Sequence, residues 1–382
     1  MKDEDASPLV RVGVIGAGQL ARMMGDEASK SNVHVVVLAT GDDESAIATA
    51  DAVVFGDPRS MDDLRALAAE SDVITFDHEL VDLSLLNALA ATGVTLRPSP
   101  DALRFSVDKL VQRAAFALEG LPVPAFCEVR APEEVPASFF ANGQIPVLKA
   151  PTGGYDGRGV HFPDSLEECH DLIRAMGAIG PVLVEERCTL LSEVAQMVVR
   201  SIDGDVKLYP LVTTVQADGM CNEVRFPVAL DDATIAHAND LTTRIAELIG
   251  LVGVMAVEYF VTPQGLVINE LALRPHNSGH WTIEGCVTSQ FANHLLAVSG
   301  QPLGDTSPVV SAAVMVNVVG SDVPATPEAA AIDGAFVHHY GKAWRSGRKL
   351  GHVTVTGEDI TTLKMQAWKS AHLYGTRTQE TQ

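Results

Sequence analysis

Basic residues are scarce in this chain. Its 382 residues carry 27 Lys and Arg against 49 Asp and Glu, a formal charge of −22, and that sign argues against nucleic acid or anionic membranes as partners. An anionic small substrate would need a local basic pocket. Cysteine is sparse too. The five, at positions 127, 169, 188, 221 and 286, are odd in number and include no C-x-x-C pair, so neither a disulfide framework nor a zinc site is indicated, and a reducing cytoplasm is the expected setting. No stretch approaches the ~20 apolar residues of a membrane span, and the acidic start lacks the apolar core of a secretory signal. Residues 1–9 read as a loose tail. The rest, 47% apolar and 20% charged, suits a folded chain of about two or three domains.

The first hundred residues alternate strand and helix. Val10–Ile15 is apolar throughout, like a strand buried on both faces of a parallel sheet, and Gly16-Ala-Gly-Gln-Leu-Ala21 then opens a helix. Strands are predicted at Val33–Leu38, Ala52–Phe55, Val73–Phe76 and Val94–Leu96, with helices near Met61–Ala69 and Leu83–Ala91. This is the pattern of an open, doubly wound α/β domain over residues 10–103. The glycines suggest a dinucleotide, but such a site wants an acid closing the second strand, and here that strand runs into Ala39-Thr40-Gly41. A nicotinamide-dependent oxidoreductase therefore rests on the glycines alone. A phosphate of another substrate at this helix N-terminus, at Gly16–Gly18, is the stronger expectation.

Helices follow over Asp101–Leu118, carrying Arg104 and Lys109. A small lobe of about residues 120–188 comes next: strand Val147–Lys149, a glycine loop, strand Val160–Phe162, helix Ser165–Met176 and strand Val182–Glu186. The chain is organised around the stretch Pro146–Val160, where four glycines fall in the seven residues 153–159 between Lys149 and Arg158. Glycines let the backbone fold tightly and present its N–H groups, and the flanking cations carry the sign a polyphosphate needs. A plain surface turn would use the glycines and neither cation.

Further on, strands are predicted at Val194–Ser201 and Val206–Val212, a helix at Asp232–Ile249, and a hairpin of Gly253–Val261 with Gly265–Ala272. Read as a three-residue turn, Pro263-Gln264-Gly265 sets Glu258 directly opposite Glu270. Opposed Cβ atoms lie about 5 Å apart, so two carboxylates on otherwise apolar strands repel unless a divalent cation joins them, and hard oxygen ligands select Mg²⁺. The alternative turns one glutamate to solvent. Asn269 adds a neutral oxygen. The loop Leu273-Arg-Pro-His-Asn-Ser-Gly-His280 crowds donors together. A helix near Ser289–Val298 and a strand at Val309–Val316 lead to His338–His352, which holds four cations, three histidines and no acid. That segment suggests a second anion site, or more simply a solvated basic loop.

These motifs in this order resemble the ATP-grasp superfamily. Gly16-Ala-Gly-Gln-Leu20, Phe76-Asp-His-Glu79, Arg97-Pro-Ser-Pro100, Gly153-Gly-Tyr-Asp-Gly-Arg-Gly159, Asn269-Glu270, Arg274-Pro-His-Asn-Ser-Gly-His280 and Tyr340-Gly-Lys342 are similar, within it, to the N5-carboxyaminoimidazole ribonucleotide synthases over residues 10–375. The resemblance implies an α/β and α+β architecture: a Rossmann-like pre-ATP-grasp domain at 10–103, an ATP-grasp domain at 104–302 including the lid lobe, and a C-terminal domain at 303–382 that completes the substrate site.

It implies that ATP is held by Arg104, Lys149 and the loop Gly154, Tyr155, Asp156, Gly157, Arg158 and Gly159. The hinge Glu185, Glu186, Arg187 and Cys188 would hold the adenine, with Glu193, Gln216, Asn269 and Glu270 completing the nucleotide site. Mg²⁺ would sit on Glu258 and Glu270. The substrate, 5-aminoimidazole ribonucleotide, would lie against Gly18, Gln19, His78, Glu79, Arg274, His276, Asn277, Lys342, Arg345 and Arg348, with Asp156, Lys342 and Arg348 taking part in catalysis. Bicarbonate is the implied co-substrate and a cytoplasmic homodimer the implied assembly. Thr213-Thr214 departs from the Glu-Asn pair common in the family before Gln216. A formate-dependent glycinamide ribonucleotide transformylase shares the lid and the metal glutamates, but the segments 274–280 and 340–342 argue against it. A nucleotide-binding module without catalysis is the remaining rival.

Overall fold

The computed structural model describes residues 9–154, 158–217 and 219–376; Tyr155, Asp156 and Gly157 of the glycine loop lie outside the described residues. In the first domain, β1 (Val10–Ile15), β2 (Val33–Ala39), β3 (Ala52–Phe55) and β4 (Val73–Phe76) form a parallel sheet of order β3-β2-β1-β4. The strand predicted at Val94–Leu96 is reduced to a single parallel bridge between Ile74 and Leu96. Ile74 donates to Thr95 and accepts from Arg97; Pro98 and Pro100 then remove the amides that a longer ladder would need.

The lid lobe is an antiparallel sheet of β5 (Phe126–Val129), β6 (Val147–Lys149), β7 (Val160–His161) and β8 (Val182–Glu185), in order β5-β8-β6-β7. The helix Leu166–Gly177 is capped by Ser165, and its Cys169 and Ile173 pack with Leu148, Val182 and Val184, all fully buried.

The remaining strands form one sheet: β9 (Ser192–Arg200), β10 (Val206–Leu208), β11 (Val212–Ala217), β12 (Met220–Phe226), β13 (Gly253–Thr262), β14 (Gly265–Ala272), β15 (Ala312–Val319), β16 (Ala335–His339) and β17 (Lys349–Gly357). Their order is β14-β13-β9-β11-β12-β15-β17-β16, with β10 beside β9. The single strand predicted over Val206–Val212 is two strands, because Pro210 has no amide to give to a ladder. Residues 338–352 are not one loop either. His338 and His339 end β16 and Lys349–His352 begin β17, so only residues 340–348 connect them. Pairing of β12 with β15, Glu223 opposite Val316, carries the C-terminal strands into the central sheet without a break.

One imidazole joins the first domain to this sheet. His294, on the helix Gln290–Ser299, accepts from the Val254 amide at Nδ1 (3.1 Å). Its proton therefore resides on Nε2, which donates to Thr75 Oγ1 (2.8 Å). Complete burial pushes its pKa down to about 3. A lowered histidine contributes stability above its unfolded value of ~6.5, lost as pH falls. His294→Leu is expected to strand the Val254 N–H and the Thr75 hydroxyl at a cost of ~2–4 kcal/mol, read as a lower urea midpoint, and to flatten the acid limb of the stability curve between about pH 6.5 and 3. A midpoint equal to that of the parent would refute this joint.

Candidate active site

The hairpin of β13 and β14 brings two carboxylates together by a route the spacing alone did not reveal. Thr262 pairs with Gly265, so the connection is the two residues Pro263 and Gln264 rather than three. Continued regularly, that register would set Glu258 opposite Asn269. The ladder instead shifts between Glu258 and Tyr259: Tyr259 faces Ile268, Glu258 faces Glu270, and Asn269 is the extra residue of a bulge. A bulge suspends the alternation of faces. Asn269 and Glu270, neighbours in sequence, both line the same cavity.

Three cations from two elements meet this bulge. On the helix Lys109–Leu118, Lys109 Nζ pairs with Glu270 Oε1 (2.5 Å), and one turn further Arg113 Nη2 donates to the Asn269 carbonyl (2.6 Å). Arg113 Nε also pairs with Glu185 Oε1 (2.5 Å), while Lys149 Nζ takes Glu185 Oε2 (2.6 Å) and lies 3.4 Å from Asn269 Oδ1. The Glu185 carboxylate, expected at the adenine, is thus committed to two buried cations. Neither Lys109 nor Arg113 was anticipated in the site. Their signal was available: Lys109, Gln112 and Arg113 share the buried face of their helix with Phe116, where polar groups need a reason to be.

The electrostatics follow. Burial alone would raise Glu270, but Lys109, Lys149 and Arg113 outweigh it and hold it below its usual value. For Glu258 burial, with Glu270 and Glu193 beside it, pushes the pKa up to about 8. Burial raises Glu193 also. Lys109 and Lys349 offset the push on Glu258 only in part, and the oxygens of Glu258, Asn269 and Glu270 form a hard donor set that fits Mg²⁺. Among the described residues no group of three or more His, Cys, Asp or Glu could hold a metal by itself. That suits an ion which keeps waters and phosphate oxygens as its other ligands.

Lys109, Lys149, Glu185, Glu193, Glu258, Asn269 and Glu270 line one cavity of about 1310 Å³. At one end Val147, Val160, Phe162, Leu190, Phe260 and Leu271 form an apolar slot beside Glu186, Arg187 and Cys188, with the Arg187 guanidinium 5.6 Å from the Phe162 ring centre. Glu193, Gln216 and Gly154 also border the nucleotide end. Glycine is needed at 154, where a Cβ would come within 2.7 Å of the Arg158 carbonyl. At the other end Gln19, His78, Glu79, Arg274, His276 and Asn277 line the wall. Glu79 fixes Arg274 through its Nε (2.6 Å) and accepts from the Leu273 amide (3.1 Å). Burial, then Arg274 and Lys349, push His276 down to about 3, so it presents a neutral ring.

Several expected residues are elsewhere. Gly18 gives its amide to Asp77 Oδ2 (2.6 Å) and Ala21 gives its own to Asp77 Oδ1 (2.9 Å), so the helix N-terminus expected to take a phosphate already holds a carboxylate. Arg104 is exposed, stacked 4.8 Å above the Phe105 ring, and is not part of the cavity wall. Arg158, Gly159, Arg345 and Arg348 are not part of it either; Arg348 Nη1 donates to the Ala343 carbonyl (3.3 Å). Lys342 is not part of the wall but touches it, donating to the Gln19 side-chain oxygen and lying 5.8 Å from the Tyr340 ring centre. Of the four cations in 338–352, Lys349 enters the cavity, close enough to depress Glu258 and His276. It opens β17, and the alternation of that strand, had it been recognised, would have separated Lys349 from Arg348.

The lid, the oxygen-lined hairpin and the slot between them define an ATP-grasp ligase. The ATP-grasp domain family matches residues 114–291, the Ribonucleotide synthetase preATP-grasp domain residues 9–107, and the Phosphoribosylaminoimidazole carboxylase C-terminal domain residues 313–366. The chain is 44% identical over 376 residues to the N5-carboxyaminoimidazole ribonucleotide synthase of Mycobacterium tuberculosis, covering 94% of this chain and 87% of that protein. It is 40% identical to the enzyme of the same name from Corynebacterium ammoniagenes, covering 93% and 90%. Its structure is similar to the synthetase of Thermus thermophilus (TM-score 0.87, 31% identity, 97% and 100% of the two chains) and to the Aspergillus clavatus synthase in complex with ADP and 5-aminoimidazole ribonucleotide (TM-score 0.86, 30% identity, 96% and 98%). The chain belongs to the N5-carboxyaminoimidazole ribonucleotide synthase family.

The raised pKa of Glu258 is a stability statement. Its protonated form is favoured by folding, so the stability it contributes is complete below the unfolded value of ~4.3 and is lost as pH rises toward about 8. Relative to Glu258→Gln, the metal-free parent is expected to lose up to ~1.4 kcal/mol per pH unit across that window, measured by denaturant titration in chelator. Parallel curves for the two proteins would refute the assignment.

Proposed function

We propose that this chain carboxylates 5-aminoimidazole ribonucleotide on its exocyclic amine, using ATP and bicarbonate and releasing ADP and phosphate, in purine biosynthesis. The observation that carries the reading is the continuity of one cavity from the apolar slot and Lys149, past Glu258 and Glu270, to Arg274, His276 and Asn277. A nucleotide and a second anionic substrate can therefore meet inside it. The relative from Aspergillus clavatus, solved with ADP and that ribonucleotide, supports the same pairing.

Bicarbonate carries negative oxygens and no good leaving group, so an amine does not add to it unaided. In the proposed reaction a bicarbonate oxygen attacks the γ-phosphorus and the bond to the β-phosphate oxygen breaks, giving carboxyphosphate and ADP. The amine nitrogen then bonds to the carboxyl carbon, directly or after release of CO₂; phosphate departs and the nitrogen loses a proton. Phosphoryl transfer depends on position and charge neutralisation more than on covalent help. Lys149 and Lys109 supply positive charge at the phosphates, and the lid keeps water from an acyl phosphate. Mg²⁺, held by Glu258 and Glu270, would neutralise charge on the transferring phosphoryl group. Arg274 and Lys349 offer cations to the ribonucleotide, and His276, neutral, offers a ring nitrogen. Asp156 is assigned to orient or deprotonate the amine. By resemblance to the family the active form is a cytoplasmic homodimer, which sedimentation would register as twice the chain mass.

Phosphate release measured with each substrate withheld in turn is expected to require ATP, bicarbonate and the aminoimidazole ribonucleotide together. Release that instead needed formate and glycinamide ribonucleotide would replace this reading with the transformylase. Asp156→Asn is expected to lower turnover by ~10²-fold with ATP affinity retained; unchanged turnover removes Asp156 from the mechanism. Lys349→Ala is expected to raise the KM for the ribonucleotide by ~10-fold or more while Arg348→Ala leaves it nearly unchanged. The reverse order would mean that the basic loop, not the start of β17, binds that substrate.

A further inference from the structure

Arg113 does not itself line the cavity, yet every nitrogen of its guanidinium is engaged and its side chain is 0% exposed. Nε holds Glu185 of the lid strand β8 (2.5 Å), Nη1 holds the Gln112 side-chain oxygen (2.5 Å) and Nη2 holds the carbonyl of the bulge residue Asn269 (2.6 Å). Gln112 is in turn fixed by donating to the Phe105 carbonyl (2.7 Å), so the guanidinium is anchored through its own helix to the preceding one, Pro100–Val107. The first residue of that helix completes the pattern: the Lys109 amide donates to the Pro151 carbonyl at the start of the glycine loop (2.9 Å), while its ammonium holds Glu270. One short helix thus grips the lid sheet, the root of the phosphate loop and the carboxylate hairpin.

We infer that Arg113 is a positioning residue that couples the lid to the metal-binding edge of the central sheet, setting Lys149 and the bulge Asn269–Glu270 at a fixed distance from each other. Two physical arguments support it. The first is geometric. A bulge residue is out of register with its partner strand and lacks the regular ladder that fixes its neighbours, so its carbonyl needs another donor, and Arg113 supplies a charge-assisted one. The second is electrostatic. Glu185 alone would neutralise Lys149 and leave no field for a polyphosphate. Shared between Arg113 and Lys149, the same carboxylate leaves one positive charge over, close to the phosphate end of the cavity. A lysine at 113 would keep that charge but, with one nitrogen on a flexible stem, could not span Glu185 and the Asn269 carbonyl together.

The inference rests on the ligase reading above, and calorimetric binding of ADP at varied Mg²⁺ tests it without carboxylation. The parent is expected to bind ADP with Mg²⁺-dependent affinity; absence of binding would overturn the ligase reading itself. Arg113→Lys is expected to bind ADP normally at saturating Mg²⁺ but to need ~10-fold or more Mg²⁺ for half-maximal effect, the usual scale for losing a group that orients a metal ligand. Arg113→Met should weaken ADP binding as well. If the lysine variant does not fold, Arg113→Met, which leaves Glu185 paired with Lys149, is expected to show the same raised Mg²⁺ requirement. Parental Mg²⁺ dependence in whichever of these variants folds, or losses that merely track reduced thermal stability, would overturn the role assigned to Arg113.

Discussion

Glu185 is a single carboxylate buried between two cations, and the nucleotide end of the cavity depends on that imbalance. Burial by itself would protonate it, but Arg113 and Lys149 outweigh that effect and hold it ionised. Burial tends to discharge Lys149, Arg113 adds to that tendency, and Glu185 opposes both. Removing Glu185 would leave two unmatched cations in a low dielectric, a loss of the order of 3–5 kcal/mol in other proteins, whereas removing Arg113 would leave Lys149 neutralised by Glu185. The stability invested there produces a fixed positive site in a chain of formal charge −22. Surface lysines would be screened and mobile, whereas this charge is held by the lid sheet and a helix together.

The carboxylate side of the cavity is built on the opposite imbalance. Glu193, Glu258 and Glu270 converge; among the described residues Glu270 has a direct ion pair with Lys109, while Lys109 and Lys349 lower Glu258 less than burial and its neighbouring carboxylates raise it. Glu258 is left with a proton affinity far above that of an ordinary glutamate. The two halves are complementary: a surplus positive charge from the lid faces a surplus of carboxylate oxygens from the hairpin, with room between for an anion that carries its own metal. Preorganised charge of this kind needs no rearrangement when the transition state forms.

Much of this was legible in the sequence, and the failures have physical causes. The strands β1 and β4, buried on both faces, have an unambiguous apolar signature, and the helix predicted from Ser165 begins at that residue's cap. Glu258 and Glu270 were correctly paired although the turn was taken as one residue too long; the bulge at Asn269 compensates for a tighter loop, and no local rule distinguishes these two ways of reaching one register. Composition marks residues 338–352 as basic but does not show that His338 and His339 end one strand and Lys349–His352 begin another, or that of the four cations it is Lys349 that lines the cavity. Lys109 and Arg113 were passed over because their importance is tertiary: they matter through Glu270, Glu185 and a backbone carbonyl more than seventy positions away in sequence. Asp77 was missed for the same reason, since a helix N-terminus looks vacant until the residue that fills it is known.

The unbroken sheet from β14 to β16 bears on how the molecule could be divided. Strand β12 pairs with β11 on one side and with β15 on the other, and Trp368, from the helix Ile360–Leu373, donates to the Glu223 carboxylate on that same strand. A fragment that stopped before β15 would contain the whole carboxylate hairpin and lid. It would also present β12 as a bare edge of unpaired amides and carbonyls, with Val224 among them, the kind of template on which chains stack and precipitate. The C-terminal strands therefore serve as a selvedge for the central sheet as well as, through Lys349, part of the cavity wall, and cutting the connection between the two parts would expose that edge.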